Sequence, residues 1–77
     1  MMRAQFEPIR GERWEYVDGN PRYKVSNKGR VYTKFNGRLV RVQEGPRTPP
    51  RVLLYVGNNR SQFFDLEELV KHHFPDA

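Results

Sequence analysis

The sequence predicts an α+β domain: a small antiparallel β-meander of about five to six short strands, packed by one short C-terminal helix. Three observations predict it. Short runs alternate apolar and polar side chains from Trp14 onward. Clusters of Gly, Asn, Asp and Pro separate those runs. A single stripe at helical spacing comes last, from Leu66 to Phe74. The chain has 77 residues, enough for one small domain. Such a domain buries only roughly 60% of the surface that its unfolded chain exposes, so the core is thin.

Residues 1–12 mix charge with Pro8 and Gly11 and show no period. They are expected to form a flexible N-terminal arm ahead of a single β-rich module over 13–77. "RWEYV" begins a first strand with Trp14 and Tyr16 on one face, and "DGNP" is turn chemistry. "RYKVS" then alternates, with Tyr23 and Val25 on one side and Lys24 on the other. After "NKG", "RVYTKF" puts Val31, Thr33 and Phe35 on one face and Arg30, Tyr32 and Lys34 on the opposite face. "NG" at Asn36–Gly37 is a strong hairpin signal because both residue types accept positive φ. "RLVRV" is expected to return as the pairing strand.

"QEGPRTPP" is expected to be a loop, since its three prolines remove donors and restrict their predecessors. "RVLLYV" resumes as a strand, "GNN" turns it and "RSQFF" pairs back. Asp65 is placed to cap a helix, with Glu68 three residues on as the capping-box partner. Leu66, Leu69, Val70, His73 and Phe74 form its inner stripe, and Pro75 ends it. Trp14, Tyr16, Tyr23, Phe35, Tyr55, Phe63, Phe64 and Phe74 are the aromatic candidates for the core.

There is no cysteine, which excludes disulfides and thiolate zinc sites and favours a reducing compartment. No apolar run reaches the ~18 residues of a membrane span, and the first residues lack the apolar segment of a signal peptide. The expected location is the cytoplasm. Charge is distributed unevenly. From Asn20 to Arg60 there are ten Lys or Arg residues against one acid, Glu44, whereas Ser61 to Ala77 carries a net charge of −3. "YKVSNKGRVYTKFNGRLVRV" contains no acid at all. Like charges opposite one another destabilise a sheet, so a basic sheet face calls for a polyanion to offset the repulsion.

The alternative is a solvated outer face, which antiparallel sheets normally have. Such faces usually mix signs, and this one does not. A β-ribbon fits the major groove of duplex DNA, with guanidinium groups reaching base edges and ammonium groups reaching phosphates. The expected DNA-binding residues are Lys24, Arg30, Tyr32, Lys34, Arg38, Arg41, Arg51 and Arg60. One exposed aromatic, Tyr32, is thin support for RNA binding. His72 and His73 point about 100° apart on a helix and do not readily chelate one ion together. No metal, cofactor or catalytic residue is expected.

"RWEYVDGNPRYKVSNKGRVYT" resembles the small module at the N-terminus of many phage HNH homing endonucleases. In that module a Trp strand leads through a turn into Tyr-x-Val-Ser-Asn, one variable residue, then Gly-Arg-Val. Here these are Trp14, Tyr23, Val25, Ser26, Asn27, Gly29, Arg30 and Val31. "RVLLYVGNNRSQFFDLEELVKHHF" is similar to the strand–turn–strand–helix segment that follows, with Leu69, Val70 and Phe74 as the matching helix residues.

The resemblance implies a DNA-facing sheet. It also places a catalytic His just before the Leu-Val pair, where this chain has Glu67, and a metal-binding Asn and His beyond Ala77. The expectation is therefore a non-enzymatic, phage-type orphan that binds double-stranded DNA, in the host cytoplasm if phage-encoded. The alternative is a small inhibitor in host takeover, with the basic block docked on an acidic surface of a host protein.

Overall fold

Turns at Asp18–Gly19, Asn27–Gly29, Lys34–Gly37, Pro46–Arg47 and Asn58–Asn59 divide the computed structural model, which describes residues 6–76. Between and beyond them lie β1 (Trp14–Val17), β2 (Asn20–Ser26), β3 (Val31–Thr33), β4 (Val42–Gly45), β5 (Thr48–Gly57), β6 (Arg60–Asp65) and α1 (Leu66–His73). The α+β class stands. The six strands form two antiparallel sheets, ordered β1-β2-β3 and β4-β5-β6.

Two sheets solve a problem that a single meander leaves open, because a thin chain must cover both faces of whatever sheet it builds. Val17, Val25 and Val31 from the first sheet meet Val52 and Leu54 from the second, with Leu66 and Phe74 from the helical end. The sheets are also tied by polar bonds. The Tyr55 N–H donates to the Tyr23 hydroxyl at 2.9 Å, and the Asn20 side-chain amide donates to the Tyr55 carbonyl at 2.9 Å. Helix α1 packs against β1, β2, β5 and β6. Asp65 caps it by accepting the Glu68 N–H at 3.1 Å.

Two strand expectations are corrected. "RLVRV" does not return as a strand of the first sheet: Tyr32 and Leu39 form a lone bridge, and the chain then crosses so that Val42 pairs with Val52. The alternation of Val40 and Val42 is real, but it serves two different surfaces. "QEGPRTPP" is not a loop. It supplies most of β4 and the start of β5, turning only at Pro46–Arg47. The prolines fit because the β4–β5 register shifts between Gln43 and Gly45, and because β6 pairs with β5 only from Arg51 onward. Pro49 and Pro50 therefore lie on an overhang beside a bulge, where no central ladder bond is demanded.

The "NG" turn also differs in detail. Gly37 has φ +73° and Asn36 is not in the left-handed region. The loop is a wide one: the Thr33 N–H donates to the Arg38 carbonyl at 3.0 Å, and the Gly37 N–H donates back to the Thr33 carbonyl at 2.8 Å. By contrast, Asn58 and Asn59 both take positive φ, the two-residue turn whose twist suits a β-hairpin. No described helix is long and apolar enough to cross a membrane.

The turn geometry separates the two residues of "NG". Gly37→Ala forces a Cβ into a positive φ and is expected to cost about 1 kcal/mol or more. Asn36→Ala, which loses one side-chain bond to the Arg38 N–H, is expected to cost about half that or less. Asp65→Ala should cost roughly 1 kcal/mol through loss of the helix cap. Urea denaturation of the three variants checks the order, and equal losses at 36 and 37 would contradict it.

Candidate nucleic-acid interface

The Tyr-x-Val-Ser-Asn-x-Gly-Arg-Val segment folds into a knot. Ser26 is fully buried, and its hydroxyl accepts the N–H groups of Lys28 at 3.1 Å and Arg30 at 3.2 Å. This is the local bonding for which a Ser at a turn is suited. Gly29 closes the turn at φ +77°. Asn27 faces the preceding segment. Its Oδ1 accepts the Arg13 N–H at 2.7 Å, and its amide donates to the Gly11 carbonyl at 3.2 Å.

Arg30 completes the knot. Its Nε donates to Glu12 Oε2 at 2.9 Å, and its Nη2 donates both to Glu12 Oε1 and to the Glu7 carbonyl. The Glu12 side chain is only 1% exposed. The paired hydrogen bonds from Arg30 hold its carboxyl below the usual carboxylate range, against the opposing pull of burial and with help from the Ser26 hydroxyl. Phe6, Trp14 and Tyr32 close over this ion pair. Their rings lie 4.8 to 5.3 Å apart, and the guanidinium sits 4.9 Å from the Phe6 ring centre. The described part of the N-terminal arm, Phe6–Glu12, thus packs on one end of the first sheet; residues 1–5 lie outside the described residues.

The other end of that sheet face is open. Tyr16, Lys24 and Tyr32 stand in register across β1, β2 and β3. Tyr16 is 49% exposed, and the ammonium groups of Lys24 and Lys34 each lie 4.5 Å from its ring centre. A ring face attracts cations by about 0.5–1 kcal/mol at such exposed sites. This attraction offsets part of the repulsion between the two lysines.

Lys34 also borders a groove of about 910 Å³ between the sheets. Arg22, Lys34 and Arg38 line it together with Tyr23, Tyr55, Leu39 and Leu53, and no Asp or Glu is among its described lining residues. Arg22 lies 4.9 Å over the Tyr55 ring. On the same side of β5 as Leu53, Arg51 covers the Phe63 ring at 3.9 Å.

Of the residues expected to contact DNA, Lys24, Lys34 and Arg38 are brought to this surface, with Arg51 beyond the groove. Arg30 and Tyr32 belong to the knot instead. Arg41 and Arg60 are exposed and do not border the groove. Sequence reasoning missed Arg22 as a member of the surface and set Tyr16 in the core, although it is 49% exposed. Alternation gave the signal for Arg22, which shares a strand face with Lys24. Phe35, expected in the core, is 84% exposed at the tip of the Lys34–Gly37 loop, because the strand ends at Thr33, before the alternation does. Phe63 and Tyr16 are likewise half-exposed.

The histidines border a shallow pocket together with Glu15, Tyr16, Asp18 and Lys24. His73, 7% exposed in its side chain, accepts the Asp18 N–H at Nε2 and meets Glu15 Oε1 with Nδ1, each at 3.2 Å. His72 lies 3.2 Å from the Asp18 carboxylate at the surface. No described group of three His, Cys, Asp or Glu is arranged to hold a metal ion.

The NUMOD4 motif matches residues 12–54, more than half of the chain. This protein belongs to the NUMOD4 motif family. The matched range contains Glu12, Trp14, Ser26, Asn27, Arg30 and Tyr32 of the knot, β1 to β4, and β5 as far as Leu54. A solved structure described as DNA binding and cleavage by the HNH homing endonuclease I-HmuI is similar to this chain, with 28% identity and a TM-score of 0.73. The likeness covers 80% of this chain and 36% of that one, so the NUMOD4 chain spans about a third of its relative's length. The resemblance to the N-terminal module of HNH homing endonucleases is thereby shown. No curated protein matches.

The knot makes Arg30 a stability residue. Arg30→Ala leaves a largely covered carboxylate without its charged hydrogen-bond partner, and is expected to cost about 1–3 kcal/mol. A carboxyl whose pKa is lower when folded contributes stability above its unfolded value, lost as pH falls through the folded value. Stability should therefore fall with acid below about pH 4.5, near the ordinary Glu value, and Glu12→Gln should flatten that dependence. Urea denaturation at a series of pH values checks both, and an unchanged acid limb in Glu12→Gln would contradict the buried pair.

Proposed function

We propose that this chain is a non-catalytic module that binds double-stranded DNA through Lys24, Lys34, Arg22 and Arg38. The observation that carries this reading is the convergence of Arg22, Lys34 and Arg38 on an intersheet groove with no carboxylate among its described lining residues, with Lys24 meeting Lys34 at the Tyr16 ring beside it. Lysines on neighbouring strands with a shared ring between them suit phosphates spaced along a backbone. Kinship with a structure described as DNA binding and cleavage supports the polymer as DNA. Arg51 extends the cationic surface past the groove, and Arg30 acts indirectly by holding the sheet's covered end. The lack of cysteine fits work in the cytoplasm, where DNA is available.

The reading is non-catalytic because Glu67 stands where the resemblance places a catalytic His. It is an exposed first-turn residue of α1, suited to the helix dipole. Purified protein is expected not to nick supercoiled plasmid in Mg²⁺, Mn²⁺ or Zn²⁺. Nicking that follows the folded protein through stringent purification and is lost in chelator would contradict this.

Binding itself is tested by salt. With four phosphates neutralised, log K against log salt should fall with a slope of about −3.6, at roughly −0.9 per phosphate. Lys24→Ala and Lys34→Ala should each flatten the slope by about one and weaken all sequences alike. Fluorescence anisotropy on a labelled duplex reads both. A slope near zero, or one that survives removal of Arg22, Lys24, Lys34 and Arg38 together, would overturn the reading. It would direct attention to an acidic protein surface as the partner.

A further inference from the structure

Phe35 has no structural use for its side chain. The Lys34–Gly37 loop is held by main-chain bonds between Thr33, Gly37 and Arg38, by Asn36 Oδ1 accepting the Arg38 N–H, and by Thr33 Oγ1 accepting the Phe35 N–H. Each of these would form with a polar residue at 35, the kind that turns favour. Instead a phenyl ring stands 84% exposed at the tip. It is flanked in sequence by Lys34 and lines the same groove as Lys34, Arg38 and Arg22. An apolar ring placed among the cations of a groove with no carboxylate in its described lining is complementary to one partner in particular: stacked bases bordered by phosphates.

We propose that Phe35 is a wedge that enters a base step of the bound duplex, partly unstacking it. This inference rests on the DNA-binding reading above and deepens it. Lys34 and Arg38, on either side of the loop, hold the flanking phosphates and deliver the ring. Apolar side chains inserted between base steps unstack them and kink the duplex. The energy of unstacking is least where pairing is already imperfect. The module therefore selects DNA by deformability as well as by charge, and a mismatched or flexible step is its preferred seat.

The test uses a 20-base-pair duplex with one central mismatch and 2-aminopurine beside it, compared with a fully paired duplex. Wild-type protein is expected to bind the mismatched duplex about tenfold more tightly and to raise the 2-aminopurine fluorescence severalfold. Phe35→Ala, whose fold should be intact because the side chain is exposed, is expected to lose both effects while keeping the wild-type salt slope. Phe35→Trp should restore them. Normal salt-dependent binding without a fluorescence change, or a change that persists in Phe35→Ala, would overturn the wedge and leave the DNA-binding reading standing. Absence of salt-dependent binding to either duplex would overturn both.

Discussion

The Glu12 carboxylate is withdrawn from water, and both of its oxygens are held by the Arg30 guanidinium. Removing Arg30 would leave without a partner a carboxylate whose side chain is almost wholly covered. That constraint organises the surrounding residues. Ser26 and Gly29 shape the turn that delivers Arg30, Asn27 fastens residues 11–13 alongside, and Phe6 lies over the pair with Trp14 and Tyr32. The Ser26–Arg30 turn thus makes a short N-terminal segment, with no period of its own, part of a thin domain.

This arrangement divides the basic residues of the first sheet into two kinds. Arg30 is paired with Glu12 and adds little to the outward field. Lys24 and Lys34 make no ion pair among the described residues and share the face of Tyr16. Their repulsion is only partly offset by the ring, because an exposed cation–π contact amounts to about 0.5–1 kcal/mol. A surface poised in this way gains from an anionic partner. Arg22 and Arg38 continue it along the groove, so the field extends from one sheet toward the other. Two sheets, rather than one meander, are what create that groove.

Much of the fold was legible in the sequence because local turn chemistry is local. Asp65 as a cap, Asn58–Asn59 as a tight hairpin and the Val25/Val31 inner face all follow from neighbours a few residues apart. The prolines at 49 and 50 misled because their cost depends on what lies beside them, and here they overhang β6 at a bulge. The alternation through Phe35 misled because it runs on past the true strand end at Thr33. Of the site, the basic face could be read from alternation at Lys24 and Lys34. That Arg30 and Tyr32 are covered could not, since the Glu12–Arg30 pair joins residues 18 apart with no periodic signal.

The central claim is that Glu12, Ser26, Asn27 and Arg30 hold the fold while a neighbouring basic surface meets DNA. An amide chemical-shift titration of the isotope-labelled protein with a short duplex separates the two directly. Shifts at Tyr16, Arg22, Lys24 and the Lys34–Arg38 loop, with Glu12, Ser26, Asn27 and Arg30 unmoved, are the expected result. Shifts centred on Ser26–Arg30, with the Lys34–Arg38 loop silent, would contradict it.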